Sequence, residues 1–455
     1  MHKPIRPKDR DALIQALSAG VVPPTGQHHI QVGRAPEIQA LIADIDRIAT
    51  GGSSFRVVVG DYGSGKTFLL SLGRAIALEK KLVTVHADLN PDRRLHASGG
   101  QARSLFSELI KNFSSRSKPE GGALASVLEK FIGTALDEAK QSGDTPDAVI
   151  FRKCAELTEM VNGYDFAAVI AAYWRGHNEG NEKLKLDAIR WLRGEFSTRT
   201  QARQALGVST ITIVEDASLY DQLKLTAAFV RLAGYGGVLC CLDEMVNLYK
   251  LANTAARNAN YEQILRILND VLQGNVKGLG FVLGCTPDSL LDTRRGIYSY
   301  PALQSRLTEN SFATGSLIDY KHPVLRLAAL TREDFFMMLE NIRGVYESGD
   351  PAKREQEAGK DGPEDRDESR HLLPDEGIAA FMSHCEKRIG ESYFRTPRKT
   401  ITAFINLLSL LEQYPGTQWE SMVERVEVAR DEGGATELEL ATDDTAGDHF
   451  AGFTL

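Results

Sequence analysis

The segment Gly60-Asp-Tyr-Gly-Ser-Gly-Lys66-Thr67 constrains this chain more than any other feature. A β-branched apolar run at 55–59 precedes it, and apolar positions at helical spacing over 69–78 follow it. A glycine-rich turn between a strand and a helix is built to hold phosphate. Gly60, Gly63 and Gly65 let the backbone pass close to an anion with its N–H groups pointing inward. The helix N-terminus adds a partial positive charge. At this spacing Lys66 reaches the β- and γ-phosphates and Thr67 offers a hydroxyl to Mg2+. Asp61, Tyr62, Ser64 and Phe68 complete the expected nucleotide-contacting set.

A second acidic element belongs beside such a loop. Residues 237–242 read as a buried strand that ends in Asp243-Glu244. An acid at the carboxyl end of a buried parallel strand sits next to the phosphate loop. There Asp243 would hold Mg2+, mostly through water, and Glu244 would act as general base on an attacking water. The adjacent glutamate argues for hydrolysis rather than for a nucleotide-sensing switch. Thr286 follows the strand expected at 280–284. Its hydroxyl is either a contact to the γ-phosphate or the water, or simply part of the turn before Pro287.

Strand-like runs at 55–59, 82–86, 237–242, 280–284 and 324–327 alternate with helical patterns, and each is short and apolar on both faces. That pattern is α/β, with a parallel sheet covered on both sides. The expected class is a P-loop NTPase sheet with a large helical insertion and a C-terminal helical lid. Some 177 residues separate Lys66 from Asp243, far more than two or three βα units need. The surplus is the helical stretch 92–206. The other expected units are an N-terminal helical segment (1–50), the core (51–91 and 207–330), the lid (331–430) and a tail (431–455). Within the lid, 350–370 holds eight acids, five bases and only two alanines, so it is expected to be a disordered surface insert.

The tail carries seven acids and no Lys or Arg, and it accounts for nearly all of the chain's net charge of −8. The body is close to neutral, so bulk charge neither requires nor excludes nucleic acid. No apolar run reaches the ~18–20 residues of a membrane span, and no membrane role is expected. The five cysteines are scattered and odd in number, which argues against disulfides and zinc and for a reducing cytoplasm.

Three further stretches, in chain order with these motifs, resemble the AAA+/STAND-like branch of P-loop ATPases. Val32-Gly33-Arg34-Ala-Pro-Glu37 looks like the box whose backbone cradles adenine, which adds Gly33 and Arg34 to the nucleotide set. Gln304-Ser-Arg306-Leu307 falls where that superfamily places an arginine finger acting on a neighbour's γ-phosphate, with Arg295 as an alternative. Thr396-Pro-Arg398 opens a lid helix and resembles the sensor-2 arginine. A finger in trans implies a homo-oligomer. Gly20-Val-Val-Pro, Arg93-Arg-Leu-His, Gly100-Gln-Ala-Arg103, Gly234-Tyr-Gly-Gly, Gly284-Cys-Thr-Pro287 and the run 296–307 extend the likeness. Over 18–345 and 372–412 the chain resembles the BREX system ATP-binding proteins of BrxD type, found in phage-defence operons. It departs from them at Cys285, where glycine is expected. The resemblance implies an ATPase that acts with helicases, methyltransferases or nucleases against invading DNA, with ATP and Mg2+ as its ligands.

The insertion carries Arg93, Arg94, His96 and Arg103 at one end and Arg190, Arg193, Arg199 and Arg203 at the other. They read either as a patch for DNA phosphates or as solvated helix faces balanced by Glu179, Glu182, Asp187 and Glu195. Two rival functions therefore stay open beside the defence ATPase. One is a DNA-loading or transposition-regulator ATPase. The other is a nucleotide-gated scaffold for partner proteins.

Overall fold

The computed structural model describes residues 5–310, 312, 318–349, 371–390, 397–414 and 416–426. The insert expected at 350–370, the tail expected at 431–455 and Thr396 lie outside the described residues.

Five parallel strands form the centre: β1 (Ser53–Val59), β2 (Val83–Asp88), β3 (Val238–Asp243), β4 (Leu279–Cys285) and β5 (Val324–Arg326), in the order β2-β3-β4-β1-β5. Alternate side chains of a strand point to opposite faces, and here each face has its own apolar layer. Phe55, Val57, Cys240, Leu242, Phe281 and Leu283 share one core with the insertion helices. Val58, Leu239, Cys241 and Val282 share another with Leu41, Ile45 and Leu69. Those last three come from the helices Ala35–Ala49 and Lys66–Glu79.

Every strand bound falls within about one to two residues of expectation. The difference with consequence is at the end of β3. Asp243 lies inside the strand, in register with Asp88 of β2, rather than just beyond it. The helix Leu219–Leu232 was not foreseen, although Leu219, Leu223 and Val230 bury one of its faces.

The insertion is continuous with the sheet. Its helix Gln101–Lys111 packs on β2, and the Ser114 backbone exchanges hydrogen bonds with Thr84 (3.0 and 2.8 Å), covering the free edge of that strand. A third core unites the two ends of the chain. Leu13, Leu17 and Ile30 pack with Phe335, Leu339, Phe381, Phe404 and Leu408. The N-terminal helix Pro7–Ser18 thus lies on the C-terminal helices Arg332–Glu347 and Arg398–Gln413. Thr402 donates to the Leu17 carbonyl, and Arg10 donates to the Tyr346 carbonyl. Among the described residues no helix is long and apolar enough to cross a membrane.

One buried ion pair anchors the sheet. Arg56 of β1 and Asp44 are only 4% and 7% exposed, and they approach to 2.7 Å. Arg56 also donates to the Tyr320 and His322 carbonyls before β5. Removing one partner leaves the other charge buried without compensation. We expect Asp44→Ala to cost about 3–5 kcal/mol and Asp44→Asn distinctly less. Chemical denaturation followed by circular dichroism reads both. Equal, small losses would mean that the pair is not the anchor.

Candidate nucleotide site

The phosphate loop is pinned where β1 meets β4. Val59 is in register with Cys285, and Gly60 N–H donates to the Cys285 carbonyl at 3.1 Å. The chain then turns through Gly63 (φ +73°) and Gly65 (φ +93°) into the helix Lys66–Glu79. Both glycines occupy the left-handed region that side chains disfavour. Lys66 Nζ folds back over the loop and donates to the Gly60 and Asp61 carbonyls, each at 2.8 Å. Burial lowers the Lys66 ammonium from its ordinary pKa, against the pull of Asp243 and Glu244.

The acidic pair stands opposite. Thr67 Oγ1 donates to Asp243 Oδ2 at 2.6 Å, while Asp243 Oδ1 accepts the N–H of Glu244 at 2.8 Å. Gly284 of β4 makes room for this carboxylate, because a Cβ there would strike Asp243 Oδ1. A hydroxyl beside a carboxylate is the hard-oxygen donor set that suits Mg2+, so Thr67 and Asp243 fit that ion. Glu244 adopts φ +59°, a left-handed conformation rare for a non-glycine residue and costly to hold. Burial first and Asp243 second raise its carboxyl above the ordinary range, with Lys66 opposing. Asp88 is raised for the same leading reasons, burial and then Asp243.

A cavity of about 150 Å3 opens above the loop. Arg34, Tyr62, Gly63, Ser64, Gly65, Lys66, Thr67, Phe68, Glu244 and Arg398 all line it, so ten of the expected residues converge on one space. Its far end is apolar, built from Leu17, Val21, Val22, Ile30, Leu330, Met338 and Ile401 among others. That slot suits a purine base. Motif reasoning missed these residues, since their positions span most of the chain and no spacing rule links them. The only local hint was Gly20-Val-Val-Pro, which precedes the Gly33-Arg34 box.

Arg34 ties the box to the loop rather than pointing into solvent. At φ +54° it brings Nη2 to the Ser64 carbonyl at 2.6 Å, and burial lowers its pKa. Gly33 lies against the Asp334 carboxylate, next to the lid helix start. Tyr62 rises from the loop with its ring 5.5 Å from Lys66 Nζ. Thr286 is buried just beyond the β4 end, and its hydroxyl accepts Ser289 N–H at 3.3 Å as the cap of the helix Pro287–Leu291. The capping role leaves the hydroxyl proton available to donate. Arg306 stands apart. It is exposed at the end of the helix Pro301–Leu307, with Nη1 on the Ala302 carbonyl of that same helix. Arg398 is exposed as well, although it lines the cavity.

Fold and site together are those of a P-loop NTPase-like protein, in which a parallel sheet presents a phosphate-binding turn and an acidic strand end at the carboxyl ends of its inner strands. Within that class, the chain belongs to the BREX system ATP-binding protein BrxC/D family, whose model matches residues 5–427. ATP binding in BREX defence is therefore its role. No curated protein matches the chain.

Proposed function

We propose that this protein is a Mg2+-dependent ATPase of the AAA+ type that oligomerises and powers or regulates a DNA-targeting phage-defence complex. The observation that carries this reading is that Lys66, Thr67 and Glu244 line one cavity while Asp243, behind them, accepts hydrogen bonds from both Thr67 and the Glu244 N–H. Mg2+, held by Thr67 and Asp243, would neutralise charge on the β- and γ-phosphates. Lys66 leaves the Gly60 and Asp61 carbonyls to contact the same oxygens. Glu244 takes a proton from water as the water oxygen bonds to the γ-phosphorus. The bond from that phosphorus to the bridging oxygen breaks, and ADP and phosphate result. Thr286 and Arg398 contact the γ-phosphate side as sensors. Arg306, exposed and held among the described residues only by its own helix, is suited to complete a neighbour's site.

One observation bears on the choice between DNA and protein partners. Arg93 pairs with Glu108, Arg190 with Asp187, Arg193 with Glu195 and Arg199 with Glu215. Half of the insertion's candidate phosphate contacts are thus already neutralised. This favours DNA engagement through partner proteins over direct binding. The test is ATP turnover by the purified chain at physiological salt, with and without duplex DNA. We expect DNA to change turnover by less than about threefold. Stimulation beyond about tenfold would support the DNA-loading alternative and return Arg94, Arg103 and Arg203 to consideration as phosphate contacts.

A further inference from the structure

We propose that Arg295 is a positioning residue acting within its own subunit. From the loop after β4 it clamps the loop after β3, and so holds Glu244 and the Thr286 strand end as one unit. This rests on the reading of Glu244 as the base.

The loop that begins at Glu244 starts in a strained conformation, and strain of that kind persists only where the surroundings enforce it. Its front is held by backbone partners. Met245 N–H donates to the Gly284 carbonyl at 3.1 Å, and Asn247 Nδ2 donates to the Leu89 carbonyl at 2.7 Å. Its rear is held by arginines. Arg295 Nη2 reaches the Lys250 and Leu251 carbonyls (3.4 and 3.3 Å), and its guanidinium lies 5.6 Å from the Tyr249 ring centre. Arg257, only 4% exposed, brings Nη1 to the same Leu251 carbonyl at 2.7 Å.

Two guanidinium groups converging on one carbonyl repel each other. Among the described residues each also keeps a buried Nε without a hydrogen-bond partner. Such an arrangement is costly unless the donors serve a loop that needs them. The clamp is itself braced. Tyr261 donates to the Arg295 carbonyl at 2.6 Å, and Tyr249 donates to Asp292 Oδ2 at 3.1 Å. Residues 292–296 follow directly from the helix that Thr286 caps. A shift at the γ-phosphate end of β4 would therefore move the Glu244 loop with it. Arg295, turned inward on these carbonyls, is not the residue that reaches a neighbour.

The test compares Arg295→Ala and Arg295→Lys with the full-length parent, using steady-state ATP turnover and amide hydrogen exchange. For Arg295→Ala we expect kcat to fall about 10- to 100-fold with KM for ATP changed by less than about threefold, since a displaced base loses rate rather than ground-state binding. Amide exchange over 246–253 should rise without a global change. Arg295→Lys should recover part of both, because one ammonium can serve one carbonyl.

Mixing Arg295→Ala with Glu244→Gln subunits should restore no activity. Recovery in the mixture would make Arg295 a finger in trans and overturn the clamp. Unchanged kcat with unchanged local exchange would overturn it too. If Arg295→Ala fails to fold, Tyr261→Phe, which removes only the brace, carries the same exchange readout. A parent protein without ATP turnover would sink the reading of Glu244 as base, while the exchange result would still stand or fall by itself.

Discussion

Glu244→Gln should keep ATP affinity within about threefold and lower phosphate release by about 10²- to 10⁴-fold, the range lost with a general base. The substitution is chosen on structural grounds. Glutamine keeps the size of the side chain and its tolerance for φ +59°, and leaves the N–H to Asp243 Oδ1 in place. Only the capacity to accept a proton is removed. The pH dependence of the parent follows from the same environment. Burial and Asp243 raise the Glu244 carboxyl, so the fraction able to act as base starts to fall at a pH higher than for an ordinary carboxylate. Turnover should therefore decline on acidification earlier than a carboxyl near 4.5 would dictate, and that limb should be missing from any residual activity of the glutamine variant. A phosphate-release assay across pH, paired with binding of a fluorescent ATP analogue, reads both. Parent-like turnover in Glu244→Gln would assign the proton to another group, with Asp88 next in line.

What could be read from the sequence divides along physical lines. The turn at 60–67 was legible because local chemistry dictates it. β-Branched residues, glycines and a helical apolar pattern follow one another within some twenty-five residues. Asp243 and Glu244 were legible because a buried strand that ends in acids has few other uses. The φ of Glu244 was not, since only glycine advertises a left-handed turn. The base slot was invisible for a different reason. Leu17, Met338 and Ile401 meet through the core that joins the two ends of the chain, and no sequence period encodes a contact between such distant positions. The arginines mark the limit most sharply. Arg295 and Arg306 look alike in sequence as fingers, each polar and each shortly after β4. Packing separates them, with one turned in on carbonyls and the other left on the surface. The charges of the insertion were likewise ambiguous until Glu108, Asp187 and Glu215 were seen to take three of the arginines.

Lys66→Ala should abolish the stabilisation that ATP gives the parent protein. Besides Glu244, three parts of the chain contribute the cavity wall: residues 17–38 at the N-terminal end, the phosphate loop with its helix, and Leu330, Met338, Pro397, Arg398 and Ile401 toward the C-terminal end. A nucleotide bound there contacts all three at once and cross-links them. A ligand that binds only the folded state adds about 2.7 kcal/mol at a hundred times its Kd, so saturating ATP should raise the parent's Tm by several degrees. Among the described residues Lys66 is the one ammonium in that wall, and burial lowers its pKa. Alanine removes the charge that would offset a triphosphate and leaves the Gly60 and Asp61 carbonyls facing it. A loss of about 10²-fold or more in affinity is expected, enough to erase the ATP-induced shift at the same nucleotide concentration. Lys66→Arg should not rescue it. The planar guanidinium is too broad to follow the ammonium into a loop where Arg34 already lies 3.3 Å from the Cβ position of Gly65. Differential scanning fluorimetry with and without ATP settles the matter, with Glu244→Gln as the control that must retain the shift. A full ATP-induced shift in Lys66→Ala would place the triphosphate elsewhere in the cavity and undo the assignment of the phosphate loop.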